Sequence, residues 1–130
     1  FMAHGFQNPT YDARIACIMP ERDALYRDID KRVLRMVETG LLDETGKLLE
    51  MGYREDLQSM ETLAYRHVIS HLRGEINLDE AIELIQRDTR RFAKRQITWM
   101  KARPDHRVFA TIHKGYDAVS GWIEKDEGRP

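Results

Sequence analysis

One basic stretch organises the chain: Arg87-Asp88-Thr89-Arg90-Arg91-Phe92-Ala93-Lys94-Arg95-Gln96-Ile97-Thr98-Trp99-Met100-Lys101. Between residues 86 and 107 there are eight Lys or Arg and two Asp or Glu, a local surplus of six positive charges. Because the whole chain carries a formal charge of −1, the remaining residues together carry about −7. This asymmetry indicates a surface for a polyanion on an otherwise acidic body.

The helical periodicity of this stretch separates its charges from its apolar residues. At ~100° per residue, one side of a helix carries Arg87, Arg91, Lys94, Thr98 and Lys101, flanked by Arg90 and Arg95. The opposite side, which we expect to pack, carries Leu78, Ala81, Ile85, Phe92 and Trp99. Phosphates suit the basic row, because Arg binds them bidentately and Lys as a point charge. On charge alone, an ordinary solvated helix face is the alternative.

The basic helix also has start and stop signals. Asn77, with Glu80 three residues later, has the form of a capping box that opens the helix. The helix can continue to Lys101, and Arg103-Pro104 then breaks it.

The rest of the sequence predicts a mainly α chain with two short strands. The first strand covers residues 13–19, and the helix that follows, residues 20–39, stops at Gly40. Further helices are expected at residues 42–51, 59–73 and 117–124, with a second strand at 108–112. Residues 1–12 are expected to form a loop and residues 125–130 a disordered tail. Two isolated strands among helices indicate a sheet that other sequence completes.

Composition limits the chain to one modest domain. It has 130 residues, 42% of them hydrophobic, which is enough for one core. No run of about 18 apolar residues is present, so we expect no transmembrane helix and no membrane partner. The single cysteine, Cys17, excludes an internal disulfide, is compatible with a reducing compartment, and is expected to be an inert core residue.

Two local patterns approach known sites but lack essential residues. Gly40 to Leu48 is similar to a phosphate-binding loop, but five residues separate its glycines where about four are needed, and Leu48 replaces the Ser or Thr. We interpret it as a helix connection.

His67 and His71 have a spacing that can bind a metal, but no third ligand is in sequence reach, so core-edge histidines are expected. No nucleophile–base arrangement is evident, so the sequence indicates binding chemistry without reaction chemistry.

Three blocks of sequence, in order, point to a known family. Residues 22–36 (RDALYRDIDKRVLRM) are followed by Gly40-Leu41-Leu42-Asp43-Glu44, residues 59–66 read SMETLAYR, and residues 89–99 read TRRFAKRQITW. The last block resembles the signature TRrYAKRQ(I/L)TW of tRNA dimethylallyltransferases, also called tRNA isopentenyltransferases. The first two are similar to that family's R-x-x-L-Y-x-R-I-x-x-R-V-x-x-M…G-L-x-x-E and S-M-x-x-I-G-Y-K/R segments. The resemblance covers residues 11–109, but only the C-terminal part of the family's usual length.

The resemblance implies a fold and an activity. The family's core is a P-loop kinase-like α/β domain, with a helical insertion that grips the anticodon stem-loop; residues 13–124 would be the C-terminal portion of that core. The parent enzyme would move a dimethylallyl group from dimethylallyl diphosphate to N6 of the adenine just 3′ of the tRNA anticodon, with Mg²⁺ as cofactor, in the cytoplasm. The P-loop, the catalytic Asp and the Mg²⁺ ligands would belong to the missing N-terminal part of the same enzyme. This chain alone is therefore expected to be inactive.

The resemblance also implies which residues contact tRNA. They are Thr62, Leu63, Ala64, Tyr65, Arg66, Lys94, Arg95, Gln96, Thr98, Trp99 and Lys101. The cations among them suit phosphates, while Gln96 and Thr98 can reach sugar or base edges. Tyr65 or Trp99 would stack on an extruded base. Trp99 lies on the apolar face, where packing is the alternative.

A second set of residues is implied for the diphosphate of the donor: Arg22, Arg32 and Arg90. Asp28 stands where the family has an arginine, which reverses the charge at that position, and adjacent Arg27 is a candidate substitute. Ala64 replaces the family's glycine before Tyr65, so a small residue is kept but a positive φ becomes less favourable.

Two other kinds of protein remain as alternatives. A stand-alone helical RNA-binding module without catalysis would fold without a partner and bind an anticodon stem-loop by itself. A purely structural helical domain would present the basic row to solvent.

Overall fold

The structure is a computed structural model that describes residues 15–102 and 106–127. Its elements are β1 (Ile15–Ile18), α1 (Arg22–Glu38), α2 (Leu41–Glu50), α3 (Tyr65–Leu72), α4 (Leu78–Lys101), β2 (His106–Phe109) and α5 (Ile112–Glu127). The predicted mainly α class with two short strands is confirmed. Within these residues, no helix is both long and apolar enough to cross a bilayer.

The chain divides into two compact units. The helical unit is Glu21–Thr98 and contains α1, α2, α3 and most of α4. The strand unit contains β1, β2, α5 and the last three residues of α4.

The first two helices of the helical unit follow from local signals in the sequence. Glu21 caps α1, because its carboxylate accepts a hydrogen bond of 2.9 Å from the backbone nitrogen of Ala24. Ile29 and Val33, four residues apart, form the buried face of α1. Gly40 then adopts a φ of 110°, in the left-handed region that favours glycine, and the chain turns directly into α2. Of the segment Gly40 to Leu48, which was predicted to be a helix connection, only Gly40 lies between the two helices, and residues 41–48 belong to α2.

The core of the helical unit takes one side chain from each of its four helices. Val33, Leu41, Val68 and Ile85 pack together and are no more than 6% exposed. Burying apolar side chains of this size stabilises a fold by ~1.5–3 kcal/mol each, before the loss of chain entropy is counted. The four helices are therefore held together by residues that lie far apart in sequence.

The strand unit is built on a parallel pair of strands. Ile15 of β1 pairs with His106 of β2, and Ile18 pairs with Phe109. Parallel neighbours need a long connection, and here the whole helical unit provides it. α5 lies close to β1 at Gly115, where a Cβ atom would lie 2.3 Å from Ile18 Cδ1, so a larger residue there would force the Ile18 side chain to move. Whether other sequence completes this sheet stays a prediction.

The predicted start of α3 is wrong. The helix begins at Tyr65, six residues after the predicted start at Ser59. The preceding residues form separate turns, with hydrogen bonds from Leu57 N to Arg54 O (3.1 Å) and from Met60 N to Leu57 O (2.7 Å). Met60 is only 2% exposed, so burial of this side chain in a turn outweighs the helix propensity of the segment.

The boundaries predicted around β2 and α5 are also wrong. β2 ends at Phe109 rather than at residue 112, and α5 begins at Ile112 rather than at residue 117. The cause is Thr111, whose Oγ1 accepts a hydrogen bond of 3.3 Å from the backbone nitrogen of Lys114 and caps the helix. α5 continues to Glu127, into the predicted tail. Residues 128–130, the predicted loop at 1–12 and residues 13–14 of the first predicted strand lie outside the described residues.

Candidate nucleic-acid interface

A groove in the helical unit brings the three sequence blocks together. Its volume is about 560 Å³. Its apolar side is formed by Ile29, Val33, Met36, Leu63, Ala64 and Ile85, and its polar and aromatic residues are Arg32, Glu61, Thr62, Thr89, Phe92 and Arg95. Each block contributes: α1 supplies Arg32, the segment before α3 supplies Thr62, and α4 supplies Arg95.

The lining of the groove suits a ligand with both an apolar and an anionic part. The buried side chains of Ile29, Val33 and Ile85 offer a surface for a hydrocarbon or for the face of a base. Arg32 and Arg95 offer two guanidinium groups, which are bidentate donors to phosphate.

Phe92 lines the groove and does not pack as predicted. It is 45% exposed. The guanidinium carbon of Arg95 lies 5.4 Å from the centre of its ring, within cation–π distance. An exposed ring beside a guanidinium can stack with a base, so Phe92 joins Tyr65 and Trp99 as a candidate for base stacking.

The basic row of α4 contains a buried counter-ion that sequence reasoning missed. Asp88 is 6% exposed. Its Oδ1 accepts a hydrogen bond of 3.0 Å from Arg87 Nε and lies 3.4 Å from Arg91 Nη1. Its Oδ2 contacts Arg66 and lies 3.0 Å from His67 Nε2. The signal in the sequence was a lone acid inside a basic run, three residues before Arg91.

These partners strongly stabilise the charged form of Asp88. The hydrogen bond from Arg87 is the main reason that the pKa of Asp88 lies far below its usual value, and those from His67 and Arg66 act in the same direction. Burial opposes the shift but does not cancel it. Because a carboxylate only accepts hydrogen bonds, a hydrogen bond between His67 and Asp88 requires a proton on His67 Nε2.

The predicted tRNA-contacting residues at 94–98 lie at or near the surface of the helical unit. Lys94, Arg95, Gln96 and Thr98 are exposed. The Thr98 hydroxyl donates a hydrogen bond of 3.0 Å to the carbonyl oxygen of Lys94, so its oxygen remains available as an acceptor.

Trp99 and Lys101 belong to the strand unit rather than to the helical unit that contains the groove. Trp99 is 54% exposed, so about half of its surface is buried, and both roles considered for it, stacking on a base and packing, stay predictions. Lys101 is exposed at the end of α4.

Tyr65 begins α3 and is anchored to α2. Its hydroxyl forms a hydrogen bond with the carboxylate of Glu44. This hydrogen bond raises the pKa of Tyr65, so the phenol stays neutral and acts as the donor. The ring lines a cavity of about 310 Å³ to which Thr62 and Ala64 also contribute. Since both of those residues also line the larger groove, Tyr65 stands beside the site rather than inside it.

Of the three residues predicted to bind diphosphate, Arg32 lines the groove. Arg90 donates a hydrogen bond to the carboxylate of Asp30 on α1. Arg22 begins α1, where its guanidinium carbon lies 5.2 Å from the centre of the Tyr26 ring. The structure therefore does not bring the three together as one site.

The remaining candidates have structural partners. His71 Nδ1 lies 3.2 Å from the carbonyl oxygen of Ile76, and His67 faces Asp88, so both histidines are bound within the fold. Cys17 is buried, as predicted, and its Sγ lies 3.0 Å from Met100 Sδ. Among the described residues, no three His, Cys, Asp or Glu side chains are grouped to hold a metal ion.

The fold is shared with a class of solved structures, the tRNA isopentenylpyrophosphate transferases. The enzyme from Bacillus halodurans matches 92% of this chain with a TM-score of 0.81 and 34% identity, over 40% of its own length. The tRNA delta(2)-isopentenylpyrophosphate transferase from Staphylococcus epidermidis matches 88% of the chain with a TM-score of 0.81 and 31% identity. The chain belongs to the IPP transferase family, whose model matches residues 2–103.

Curated relatives agree with this assignment. The tRNA dimethylallyltransferase of Desulfatibacillum aliphaticivorans is 45% identical over 108 residues, which are 83% of this chain and 35% of that protein. The tRNA dimethylallyltransferase 2 of Geotalea daltonii is 49% identical over 96 residues, 74% of this chain and 29% of that protein. The chain therefore spans about a third of the length of the curated relatives it matches.

Proposed function

We propose that this chain is the C-terminal part of a cytoplasmic tRNA dimethylallyltransferase, and that its groove is where the tRNA and the dimethylallyl donor meet. The observation that carries the proposal is the composition of the groove. It combines Arg32, predicted for the diphosphate, with Thr62 and Arg95, predicted for tRNA.

The reaction requires two partners to be held in line. N6 of the adenine attacks the first carbon of the dimethylallyl group, a C–N bond forms, and the C–O bond to the diphosphate breaks. The diphosphate leaves with the bonding electron pair, and the proton from N6 passes to a base. By the family resemblance, that base would be an Asp in the N-terminal part of the enzyme.

This chain would contribute positioning and electrostatic stabilisation. Arg32 would bind the diphosphate as negative charge develops on its bridging oxygen. Arg95 and Lys94 would bind phosphates of the anticodon loop, and the ring of Phe92 or Tyr65 would stack on the extruded adenine. The apolar side of the groove would keep water away from the dimethylallyl group, since water is a competing nucleophile.

Mg²⁺ would neutralise the diphosphate in the complete enzyme. The described residues offer no group of three acidic, His or Cys side chains for it. Its ligands stay a prediction for the missing N-terminal part.

The first test measures RNA binding by this chain. Fluorescence anisotropy with an anticodon stem-loop RNA should give a dissociation constant that rises with salt concentration. Lys94→Ala with Arg95→Ala should weaken binding by roughly tenfold or more and lower the slope of log affinity against log salt by about 1.5. Lys47→Ala with Arg54→Ala, two exposed cations that do not line the groove, removes the same charge and should have a smaller effect. Equal losses for the two double variants would contradict the assigned surface.

The second test separates a part of an enzyme from an independent module. With donor, Mg²⁺ and tRNA, this chain alone should transfer no dimethylallyl group, because the base and the P-loop are supplied elsewhere. Adding the N-terminal part of the enzyme should restore transfer. Sub-micromolar binding of the stem-loop with no restoration by any N-terminal partner would favour a stand-alone RNA-binding module.

A further inference from the structure

Asp88 lies beneath the surface formed by three arginines. Its side chain is 8% exposed, whereas those of Arg66, Arg87 and Arg91 are 47%, 45% and 63% exposed. Arg66 comes from α3, and the other two come from α4. None of the three lines the groove, so this cluster is a separate feature of the helical unit.

Each guanidinium keeps hydrogen-bonding capacity after its contact with Asp88. A guanidinium has five N–H donors, and the carboxylate of Asp88 has only two oxygens to share among three arginines and His67. The unused donors belong to side chains that are about half exposed. The cluster of three arginines and one aspartate carries a net charge of about +2.

We propose that Asp88 is a positioning residue that holds Arg66, Arg87 and Arg91 together as a binding site for the phosphate backbone of RNA. Without a shared anion the three guanidiniums repel one another and sample many rotamers. With the anion they are arranged before a ligand arrives, so less conformational freedom is lost on binding. The inference rests on the proposed function, because it takes the anticodon stem-loop as the ligand.

The test uses a variant in which charge and positioning act in opposite directions. Asp88→Asn makes the chain more positive by one charge, so long-range attraction alone would strengthen RNA binding. If Asp88 positions the arginines, the same variant should bind the anticodon stem-loop roughly tenfold more weakly. Glu83→Gln is the matched control, since it removes one exposed negative charge from the same helix outside the cluster. It should bind as tightly as the wild type or slightly more tightly.

A second variant, with two substitutions, tests the inference if circular dichroism shows that Asp88→Asn does not fold. Arg87→Gln with Arg91→Gln leaves Asp88 with Arg66 and His67 as partners. It should weaken binding by a similar factor and lower the salt slope by about 1.5. If Asp88→Asn does fold, adding these two substitutions to it should weaken RNA binding much less than adding them to the wild type does.

The outcomes separate this inference from the proposed function. A folded Asp88→Asn variant that binds as well as the wild type, or better, overturns the inference alone. Wild-type affinity in the Arg87→Gln, Arg91→Gln variant does the same. If the wild-type chain itself does not bind the stem-loop below tens of micromolar, RNA binding by this chain fails and the inference fails with it.

Discussion

Tyr65 combines a ring and a hydroxyl whose roles can be separated by substitution. Tyr65→Phe removes the hydrogen bond to Glu44 and should lower the free energy of unfolding by about 1 kcal/mol, since the pair is partly exposed. RNA affinity should change little, because the ring is kept. Tyr65→Ala should in addition weaken stem-loop binding by ~1–3 kcal/mol if the ring stacks on a base. Equal affinity losses for the two variants, measured by anisotropy, would assign the effect to the hydroxyl instead.

Asp88 should make stability depend on pH on the acid side. Its pKa is lowered in the folded state, so the unfolded chain takes up the proton first as the pH falls. The stabilisation by Asp88 is therefore present above its ordinary pKa of ~3.9 and is lost as the pH falls through the lower folded value. Urea unfolding between pH 7 and pH 2.5 should show a shallower acid-side decline for Asp88→Asn than for the wild type. Parallel declines in the two proteins would contradict this.

At the scale of single residues, the sequence predicts exposed cations more easily than it predicts the buried carboxylate that binds some of them. Exposure of Lys94 and Arg95 follows from helical periodicity alone. The role of Asp88 does not, because two of its partners, Arg66 and His67, lie more than 20 positions away in sequence and meet it only through packing of α3 against α4. In the sequence, Asp88 is only one acid in a basic run, and nothing near it in the chain indicates that it is buried.

The capping box of α4 makes the stability of this helix testable. Asn77 Oδ1 accepts a hydrogen bond of 2.9 Å from Glu80 N, and Glu80 Oε2 accepts one of 2.9 Å from Asn77 N, as the sequence predicted. Asn77→Ala should therefore lower the free energy of unfolding by about 1 kcal/mol in urea denaturation. Asn77→Ser, which retains a capping oxygen, should lower the free energy of unfolding much less. If the serine variant is destabilised as much as the alanine variant, the loss of the capping oxygen does not explain the destabilisation.

Element boundaries were predictable where a local signal decides them. The basic helix begins and ends as predicted, because Asn77 caps its first turn and the helix stops at Lys101 before the Arg103-Pro104 signal. α3 was predicted too long because its helix-forming residues are overruled by the burial of Met60, a tertiary effect. α5 was predicted too short although Thr111 is a readable N-cap, since the apolar run before it was interpreted as a strand.

In the molecule as a whole, the groove and the pair of strands belong to different units. The helical unit has its own core and contains every residue that lines the groove. The strand unit has a parallel pair covered by α5, an arrangement that usually needs more strands or a second covering layer. The two units should therefore differ in stability, and substitutions in one should act mainly on that unit.

A crossed pair of substitutions tests this separation. Ile85→Val removes one methyl group from the core of the helical unit and should lower its stability by ~1 kcal/mol. Gly115→Leu places a side chain where even a Cβ atom would lie 2.3 Å from Ile18 Cδ1, so it should loosen the packing of α5 on β1. Hydrogen exchange followed by mass spectrometry should show faster exchange across α1–α4 for Ile85→Val, and across β1, β2 and α5 for Gly115→Leu. Stem-loop affinity should fall only for Ile85→Val, because Ile85 lines the groove and Gly115 does not. Faster exchange throughout the chain in both variants would show that the units unfold as one.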